Sequence, residues 1–139
     1  MKIIKKENNV YMLRFDRGEE LINGLAEFCE SEQIRAGFFT AIGAAREVSL
    51  SWYDIDAKEY SDKEVIEKME IIGMTGNIAE MEGKNIIHCH ASFSDNRMAV
   101  MAGHVKRLVI AATAEVVLHK MEGVLEREHS EEIGLNLFK

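Results

Sequence analysis

Alternation of apolar and polar residues recurs along this chain and predicts β-strands over much of its length. Residues 10–16, "VYMLRFD", alternate with the period of two that a half-buried strand shows. Residues 36–55 have the same character and predict two strands broken near Gly43. Residues 107–121 are apolar almost throughout. A helix is an alternative for this run, but its valine, isoleucine and threonine content favours a long buried strand.

One segment has the spacing of an amphipathic helix. Asp16 followed by Glu19 is a capping-box pattern, which is typical of a helix start. The apolar residues that follow recur on one helical face and predict a helix drawn from residues 16–33. This apolar stripe consists of Leu21, Ile22, Leu25, Phe28 and Cys29.

The rest of the chain predicts further strands joined by turns. Residues 57–65 are interpreted as a polar connection, Gly83 as a turn and Asp95–Asn96 as the tip of a hairpin. One helix against many strands predicts an α+β fold, with a largely antiparallel sheet and one main helix packed on it. We expect residues 1–139 to form a single domain, because this length suits one core.

Composition does not change the predicted fold, but it indicates the cellular compartment. Hydrophobic residues make up 47% and charged residues 29%, which is an ordinary balance for a globular protein. Cys29 and Cys89 are too few for a disulfide framework and favour a reducing compartment. No apolar run approaches the roughly 20 residues that cross a membrane, and the first residues lack a signal peptide's apolar stretch. We therefore expect a cytoplasmic protein without a membrane partner.

The charge balance disfavours nucleic acid as a partner. The formal net charge is −7, whereas domains that bind nucleic acid usually carry a basic patch or stripe. The basic clusters are Lys2, Lys5 and Lys6 near the start and the pair Lys106–Arg107. DNA binding by the isolated chain is therefore not expected.

Three of the five histidines lie in one part of the sequence. In the strand-like segment "IIHCHASF", residues 86–93, His88 and His90 share one face with Ser92. The opposite face is apolar and should belong to the core. Cys89 lies on that apolar face and is interpreted as a small buried residue.

The loop after this strand decides whether His104 joins the other two. With a three-residue loop at residues 95–97, His104 would lie opposite His88 on the same face. A four-residue loop would turn His104 to the other face, unless a bulge at Gly103 restored it.

Convergence of the three imidazoles predicts a metal site. Neutral imidazole is a common metal ligand, and three histidines with one water form an open zinc site. The candidate ligands are His88, His90 and His104, with zinc as the expected divalent ion. The alternative is that they are polar residues on a solvated sheet face, and the residues alone do not choose between the two. His119 and His129 are interpreted as surface histidines or as histidines with satisfied hydrogen bonds.

Glu115 is the second unusual residue, because it interrupts an apolar run. As a functional residue it would accept a hydrogen bond from a ligating histidine or act as a base near the metal. As a structural residue it would pair with an arginine such as Arg127 or Arg46, since buried charges are normally paired. The structural interpretation is favoured.

Four segments in order resemble the PPC domain (plants and prokaryotes conserved), a family also classed as a domain of unknown function. Residues 11–54 resemble its opening strand, helix and "G…GIGA" strand pair, and residues 69–95 resemble its "SLSGNI…HLHA" signature. "MAGHV", residues 101–105, resembles its Gly-Gly-His-Leu segment with Ala102 in place of the first glycine. "TAEVV", residues 113–117, matches the segment after it.

This resemblance implies an α+β homotrimer of the stand-alone prokaryotic type. In some prokaryotic members it implies a metal held by the histidines that correspond to His88, His90 and His104. Plant members join the domain to a basic AT-hook that enters DNA, and this sequence contains no such segment. Residues 108–118 supply a separate reason to associate, because they are largely apolar on both strand faces and one helix cannot cover both.

Three functions follow for comparison. The first is a trimeric assembly or regulatory module with a divalent-metal site, whose biochemical role is poorly defined. The second is a metal-dependent hydrolase or lyase that acts on an unidentified small molecule in a cleft between subunits, with Glu115 as candidate base. The third is a DNA-associated protein, which the composition disfavours. The sequence does not separate the first two, so it does not decide whether the protein is an enzyme.

Overall fold

The chain folds into a mainly β structure. The computed structural model describes residues 1–139 and contains nine strands and one helix. The elements are β1 (Lys2–Glu7), β2 (Val10–Asp16), α1 (Leu21–Ser31), β3 (Gly37–Asp54), β4 (Glu59–Val65), β5 (Met69–Met81), β6 (Lys84–Ser94), β7 (Val100–Lys120), β8 (Arg127–Ser130) and β9 (Leu135–Phe138).

The expected α+β class with a main helix is wrong, because strands occupy more of the chain than the hydrophobic pattern indicates. Residues 57–65 were expected to be a polar connection, yet they contain the whole of β4, which pairs with β3 at the edge of the sheet. All side chains of β4 except Val65 are exposed, so its sequence lacks the apolar alternation of a half-buried strand. The single helix has eleven residues and does not form a layer comparable to the sheet.

Seven antiparallel strands form the main sheet and curve until two of them meet. The order is β1-β2-β7-β6-β5-β3-β4, and β3 also pairs with β7. This additional pairing closes β3, β5, β6 and β7 into a ring. Buried apolar side chains from these strands, from β2 and from α1 form one core. The two remaining strands, β8 and β9, form a separate hairpin.

β7 confirms the long strand predicted for residues 107–121 and excludes the helical alternative. It has 21 residues and pairs with β6 near its start, with β3 over most of its length and with β2 near its end. Ile110 and Val116 are fully buried, whereas Glu115 on the opposite face is exposed and Val117 is half-buried. One face of β7 therefore belongs to the core and the other lines the outer surface of the sheet.

α1 packs against β6 and β7 through the apolar stripe that the sequence predicts. Its fully buried side chains include Leu21, Leu25 and Cys29. The helix begins later than the capping-box pattern indicates, because Glu20 caps it: the Glu20 carboxylate accepts hydrogen bonds from the backbone N–H groups of the first turn, at 2.7 and 3.0 Å. α1 is too short to span a membrane, and no other helix exists.

β3 runs through Gly43, where the sequence predicted a break between two strands. The pairing of β3 with both neighbours shifts register at this position. Gly43 has a φ of +153°, and a Cβ atom there would collide with the backbone of Thr113 and Ala114. Glycine thus allows one long strand to shift its register and approach β7 closely without ending.

Candidate metal centre

β6 separates an apolar face from a histidine face, as its alternation predicts. Cys89, Ala91 and Phe93 are buried in the core. His88 and His90 lie on the opposite face, where His88 is half-buried and His90 is exposed. The sheet therefore presents both imidazoles on its outer surface.

The β6–β7 hairpin has a longer loop than expected. Ser94 pairs with Val100, so residues 95–99 form a five-residue loop. The Asp95 carboxylate closes the loop by accepting hydrogen bonds from the backbone N–H groups of Arg97 and Ala99, at 2.8 and 2.9 Å. The proposed three-residue loop is therefore wrong.

The longer loop changes the partner of His104 but not its face. His104 lies directly opposite His90, and not opposite His88 as the three-residue loop predicted. Because a five-residue loop differs from a three-residue loop by two positions, the register moves by two and each side chain keeps its face. No bulge at Gly103 is needed.

The three histidines form a compact triangle on this face. The ring centroids of His88 and His104 are 5.0 Å apart, those of His88 and His90 are 5.2 Å apart, and those of His90 and His104 are 5.4 Å apart. One nitrogen from each ring lies within 4.8 Å of the corresponding nitrogens of the other two. The structure thus brings together all three residues that the sequence singled out as candidate ligands.

The surroundings favour neutral imidazoles at two of these positions. Burial, with smaller contributions from His104, Arg127 and His90, lowers the pKa of His88 from its ordinary 6.5 to about 4. Burial, followed by the charges of His90 and Lys106, also lowers the pKa of His104. Neutral imidazole is the form that coordinates a metal, so each of these two rings keeps one nitrogen lone pair near neutral pH.

Arg127, the first residue of β8, contacts the triangle at His88. Its Nη2 donates to Asn77 Oδ1 at 2.8 Å and lies 3.3 Å from His88 Nδ1. A guanidinium has no lone pair to offer, so His88 Nδ1 is the acceptor in this contact. The stretch before β8 is tied to β5 by a backbone hydrogen bond from Glu80 N to Leu125 O at 2.7 Å. The position of Arg127 is therefore fixed by the fold of the C-terminal segment.

A second group of polar residues flanks the triangle near His104. Lys106 Nζ donates to both carboxylate oxygens of Asp62, at 2.7 and 2.8 Å. Ser51 donates to the same carboxylate at 2.6 Å, and the Tyr60 ring lies 5.9 Å from the His104 ring. Hydrogen bonds from Lys106 and then from Ser51 lower the pKa of Asp62, so this carboxylate stays ionised beside the histidines.

Glu115 does not form the ion pair that the sequence analysis favoured. Its side chain is exposed and makes no salt bridge or hydrogen bond, because Arg127 is directed to His88 and Arg46 pairs with Glu47. Glu115 also makes no hydrogen bond to a histidine of the triangle. Since its strand face lies on the outer surface, Glu115 is not a buried charge and needs no partner.

A cleft of about 840 Å³ runs over the outer sheet face and connects Glu115 with the triangle. His90 and Glu115 both line it. Directly paired residues of neighbouring strands form its floor, since Thr40 pairs with Thr75, and Thr75 pairs with His90. The other lining residues include apolar side chains such as Ile42. The cleft therefore combines hydroxyl groups, apolar surface, one carboxylate and one imidazole.

The remaining reactive side chains lie apart from this site. Burial raises the pKa values of Cys29 and Cys89 to about 12, so both thiols stay protonated and serve as core residues. His119 stacks on Phe38 with ring centroids 4.6 Å apart, and His129 hydrogen-bonds through Nδ1 to Asn136. Both histidines thus have structural contacts, in agreement with their interpretation from sequence.

Sequence reasoning missed the charged groups around the triangle. Arg127 was considered only as a partner for Glu115, and Asp62 was placed in a polar connection. Neither residue lies in a segment whose pattern points to the histidines. The pairing of β4 with β3 brings Asp62 to the site, and the C-terminal segment brings Arg127.

A match to a family model shows which protein family the chain belongs to. The Plants and Prokaryotes Conserved (PCC) domain, abbreviated PPC above, matches residues 3–122. The chain belongs to this family. The match includes the whole histidine triangle, whereas β8, β9 and Arg127 lie beyond its end.

Solved structures of other proteins resemble this PCC domain over nearly its full length. A protein from Bacteroides thetaiotaomicron VPI-5482, named a "putative DNA binding protein", is 29% identical, with a TM-score of 0.94 over 97% of this chain and 94% of that one. A metal-containing protein from Archaeoglobus fulgidus is 33% identical, with a TM-score of 0.87 over 100% and 99% of the two chains.

A curated relative contains a similar segment within a much longer chain. The bifunctional protein GlmU of Synechococcus sp. (strain JA-3-3Ab) is 29% identical over 111 residues, which are 78% of this chain and 17% of that protein. The PCC domain described here therefore spans about a sixth of the length of that relative.

Proposed function

We propose that this PCC-domain protein binds a divalent metal ion, zinc, through His88, His90 and His104. The observation that carries the proposal is the triangle itself, in which one nitrogen from each ring lies within 4.8 Å of the others. The name of the Archaeoglobus fulgidus relative, a metal-containing protein, supports the same assignment. Within a cell the domain would act as an assembly or regulatory module.

The donor set suits a tetrahedral ion. Ligand nitrogens about 2.0–2.1 Å from zinc lie roughly 3.3 Å apart, so modest rotations of the three rings suffice for coordination. The lowered pKa values of His88 and His104 mean that neither ring must lose a proton near neutral pH. Three imidazoles leave one coordination position for water or a ligand, and a bound zinc ion lowers the pKa of such a water.

The cleft supports a second candidate function, a metal-dependent hydrolase or lyase. His90 and Glu115 line the same cleft, so a candidate metal ligand and a carboxylate without an ion-pair partner face one cavity. In this function Glu115 would accept a proton from the metal-bound water or from the substrate. Its exposed carboxylate is free to do so, because it has no other hydrogen bond.

We propose a homotrimer as the assembled state. The outer sheet face exposes apolar side chains in and beside the cleft, among them Ile42 at 56% exposure and Phe38 at 47%. Apolar patches of this kind are typical of interaction surfaces. A closed rotational assembly would cover the same patch on each copy, and the family resemblance supplies the number three.

DNA is not proposed as a partner of this chain, although the Bacteroides thetaiotaomicron relative is named for DNA binding. The net charge of −7 opposes contact with phosphates. Exposed basic side chains such as Lys106 and Arg107 are already paired with carboxylates. The pair Lys106–Arg107 therefore does not form a free basic patch for DNA.

Cobalt(II) substitution tests the metal centre directly. The protein is stripped with a chelator, reloaded with cobalt(II) and measured by visible absorption, which reports the coordination number. We expect the intense absorption of a four-coordinate site and one equivalent of cobalt per chain. A weak six-coordinate spectrum, or loading that does not saturate near one equivalent, would contradict the proposal.

A further inference from the structure

Arg127 is a partly buried cation with no carboxylate partner. Its Nη1 donates to the Asn136 carbonyl at 2.6 Å and its Nη2 to the Asn77 side-chain oxygen at 2.8 Å, and both acceptors are neutral. The Phe138 ring lies 4.3 Å from its Cζ atom. The Nε–H group is buried and has no acceptor at all. Cations in such positions are normally matched by a negative charge, and none is present here.

The other cation beside the triangle differs in this respect. Lys106 is neutralised by Asp62, which it contacts through both carboxylate oxygens. The cation on the His104 side of the triangle, Lys106, therefore has a counter-charge. The cation on the His88 side, Arg127, has none.

Metal coordination by His88 would break its contact with Arg127. If the ion binds Nδ1, the lone pair that accepts from Arg127 is used. If it binds Nε2, then Nδ1 carries the proton and becomes a donor that faces another donor. In either case the hydrogen bond to His88 Nδ1, now at 3.3 Å, is lost. Arg127 would then have two N–H groups without an acceptor: the buried Nε–H, and one N–H of Nη2, whose other N–H still donates to Asn77.

We propose that the metal-loaded site binds a small molecule through an oxyanion group, a carboxylate or a phosphate, with Arg127 as its anchor. The inference rests on the proposed metal centre. A guanidinium fork matches the geometry of both groups and supplies the charge that they require. The anion would restore the acceptor that Arg127 loses and provide its missing counter-charge.

The position of the cleft indicates where the rest of this ligand lies. Arg127 contacts the triangle at His88, whereas the cleft reaches it at His90. A ligand that joined the two would lie along the His88–His90 edge of the triangle, within reach of an ion held there. The 840 Å³ of the cleft is in the range of small-molecule sites, and its hydroxyl-bearing floor suits a polar ligand.

Anion titration of the cobalt(II)-loaded protein tests this inference. Acetate and inorganic phosphate are added separately while the visible spectrum is followed, so that the two titrations distinguish a carboxylate site from a phosphate site. We expect at least one of the two anions to change the spectrum saturably. Arg127→Gln should keep its cobalt and bind that anion about tenfold or more weakly, because a charge-assisted hydrogen bond is lost. Arg127→Lys should fall between the two, since it keeps the charge without the fork.

Arg46→Gln is the matched control. Arg46 is an exposed arginine paired with Glu47 and contacts none of the three histidines, so its loss changes the net charge equally. We expect its anion affinity to stay within about twofold of the wild type. Circular dichroism of each variant checks that the fold is retained.

Three results would overturn the inference. Equal anion affinity in wild type and Arg127→Gln, or no response to either anion, would show that Arg127 does not anchor a ligand while the metal centre stands. Loss of cobalt from both Arg127 variants would assign the residue a structural role. A wild-type protein that takes up no metal would refute the metal centre and the anion site together.

Discussion

His90 and His104 face each other directly across β6 and β7, and their ring centroids are 5.4 Å apart. The β6–β7 hairpin thus makes direct neighbours of two residues that are well separated in the sequence. His88 completes the triangle because it lies two residues before His90 on the same strand face. The site therefore depends on the register of one hairpin and on the face of one strand.

Close packing behind the triangle gives a stability prediction at Gly76. A Cβ atom at this position would lie 2.6 Å from the backbone oxygen of His88, from Cys89 Cβ and from the Phe39 ring. Gly76→Ala should therefore lower the free energy of unfolding by about 1–3 kcal/mol, because backbone and core must both shift. Urea denaturation measures this change.

Gly73 on the same strand is the matched control. A Cβ atom there would meet no other atom within 4 Å. Gly73→Ala should leave the free energy of unfolding unchanged or raise it slightly, since glycine weakens a strand interior. Equal destabilisation by the two substitutions would show that the packing described around Gly76 is incorrect.

Burial of His88 gives a prediction for the pH dependence of the metal-free protein. The pKa of His88 is about 4 in the folded protein, compared with about 6.5 when unfolded. The unfolded chain therefore binds more protons between these values, and the free energy of unfolding should fall as the pH drops from 6.5 towards 4. We expect His88 to contribute about 1–2 kcal/mol over this window, discounted because its ring is only half-buried. Thermal unfolding of chelator-treated protein at several pH values measures the effect.

His88→Gln separates this effect from general acid unfolding. Glutamine does not titrate, so the variant should lose less stability than the wild type between pH 6.5 and 4. The lowered pKa of His104 acts in the same direction, and part of the slope should therefore remain. An identical slope in the wild type and the variant would contradict the assignment of His88 as a neutral residue.

Local alternation predicts much of this fold, because each strand that covers the core must alternate to do so. The apolar face of β6, the long strand β7 and the buried stripe of α1 were all predictable for this reason. β4 was not, since an exposed edge strand has no core face to produce a pattern. The fold class was therefore predicted as α+β and not as mainly β, because a strand with polar residues on both faces was not recognised as a strand.

The candidate site was predictable only in part. His88 and His90 could be placed on one face from strand periodicity alone. The partner of His104 could not be fixed, because it depends on the loop that the Asp95 side chain closes. Arg127 begins β8, whose four residues, Arg-Glu-His-Ser, include no apolar side chain, so no periodic signal connects it with the histidines.

The exposed apolar patch predicts the oligomeric state. Light scattering should give a mass near three times 15.8 kDa, because burial of the outer sheet face stabilises a closed assembly. Ile42→Glu places a charge in this patch and should shift the mass towards one chain. Ile66, which is 82% exposed and lies outside the cleft, provides the control variant Ile66→Glu, which should stay assembled. A monomeric wild type at micromolar concentration would contradict the proposed trimer.

The negative charge predicts weak interaction with duplex DNA. A gel-shift titration at physiological salt should show no complex up to about micromolar protein, whereas specific sites typically bind at 10⁻⁸ to about 10⁻¹¹ M. The result should not change when exposed Lys106 is replaced by glutamine. Affinity in the specific range would require a basic surface that this chain does not show.

Elemental analysis of the native protein and two pairs of variants tests the metal centre most directly. His90→Ala and His104→Ala each remove one of the three candidate ligands. His119→Ala and His129→Ala remove histidines that have other contacts, and His119 lies on the same strand as His104. We predict about one zinc per chain in the native protein and in the His119 and His129 variants, with little or none in the His90 and His104 variants. Equal zinc content in all five proteins, or none in the native protein, would contradict the account.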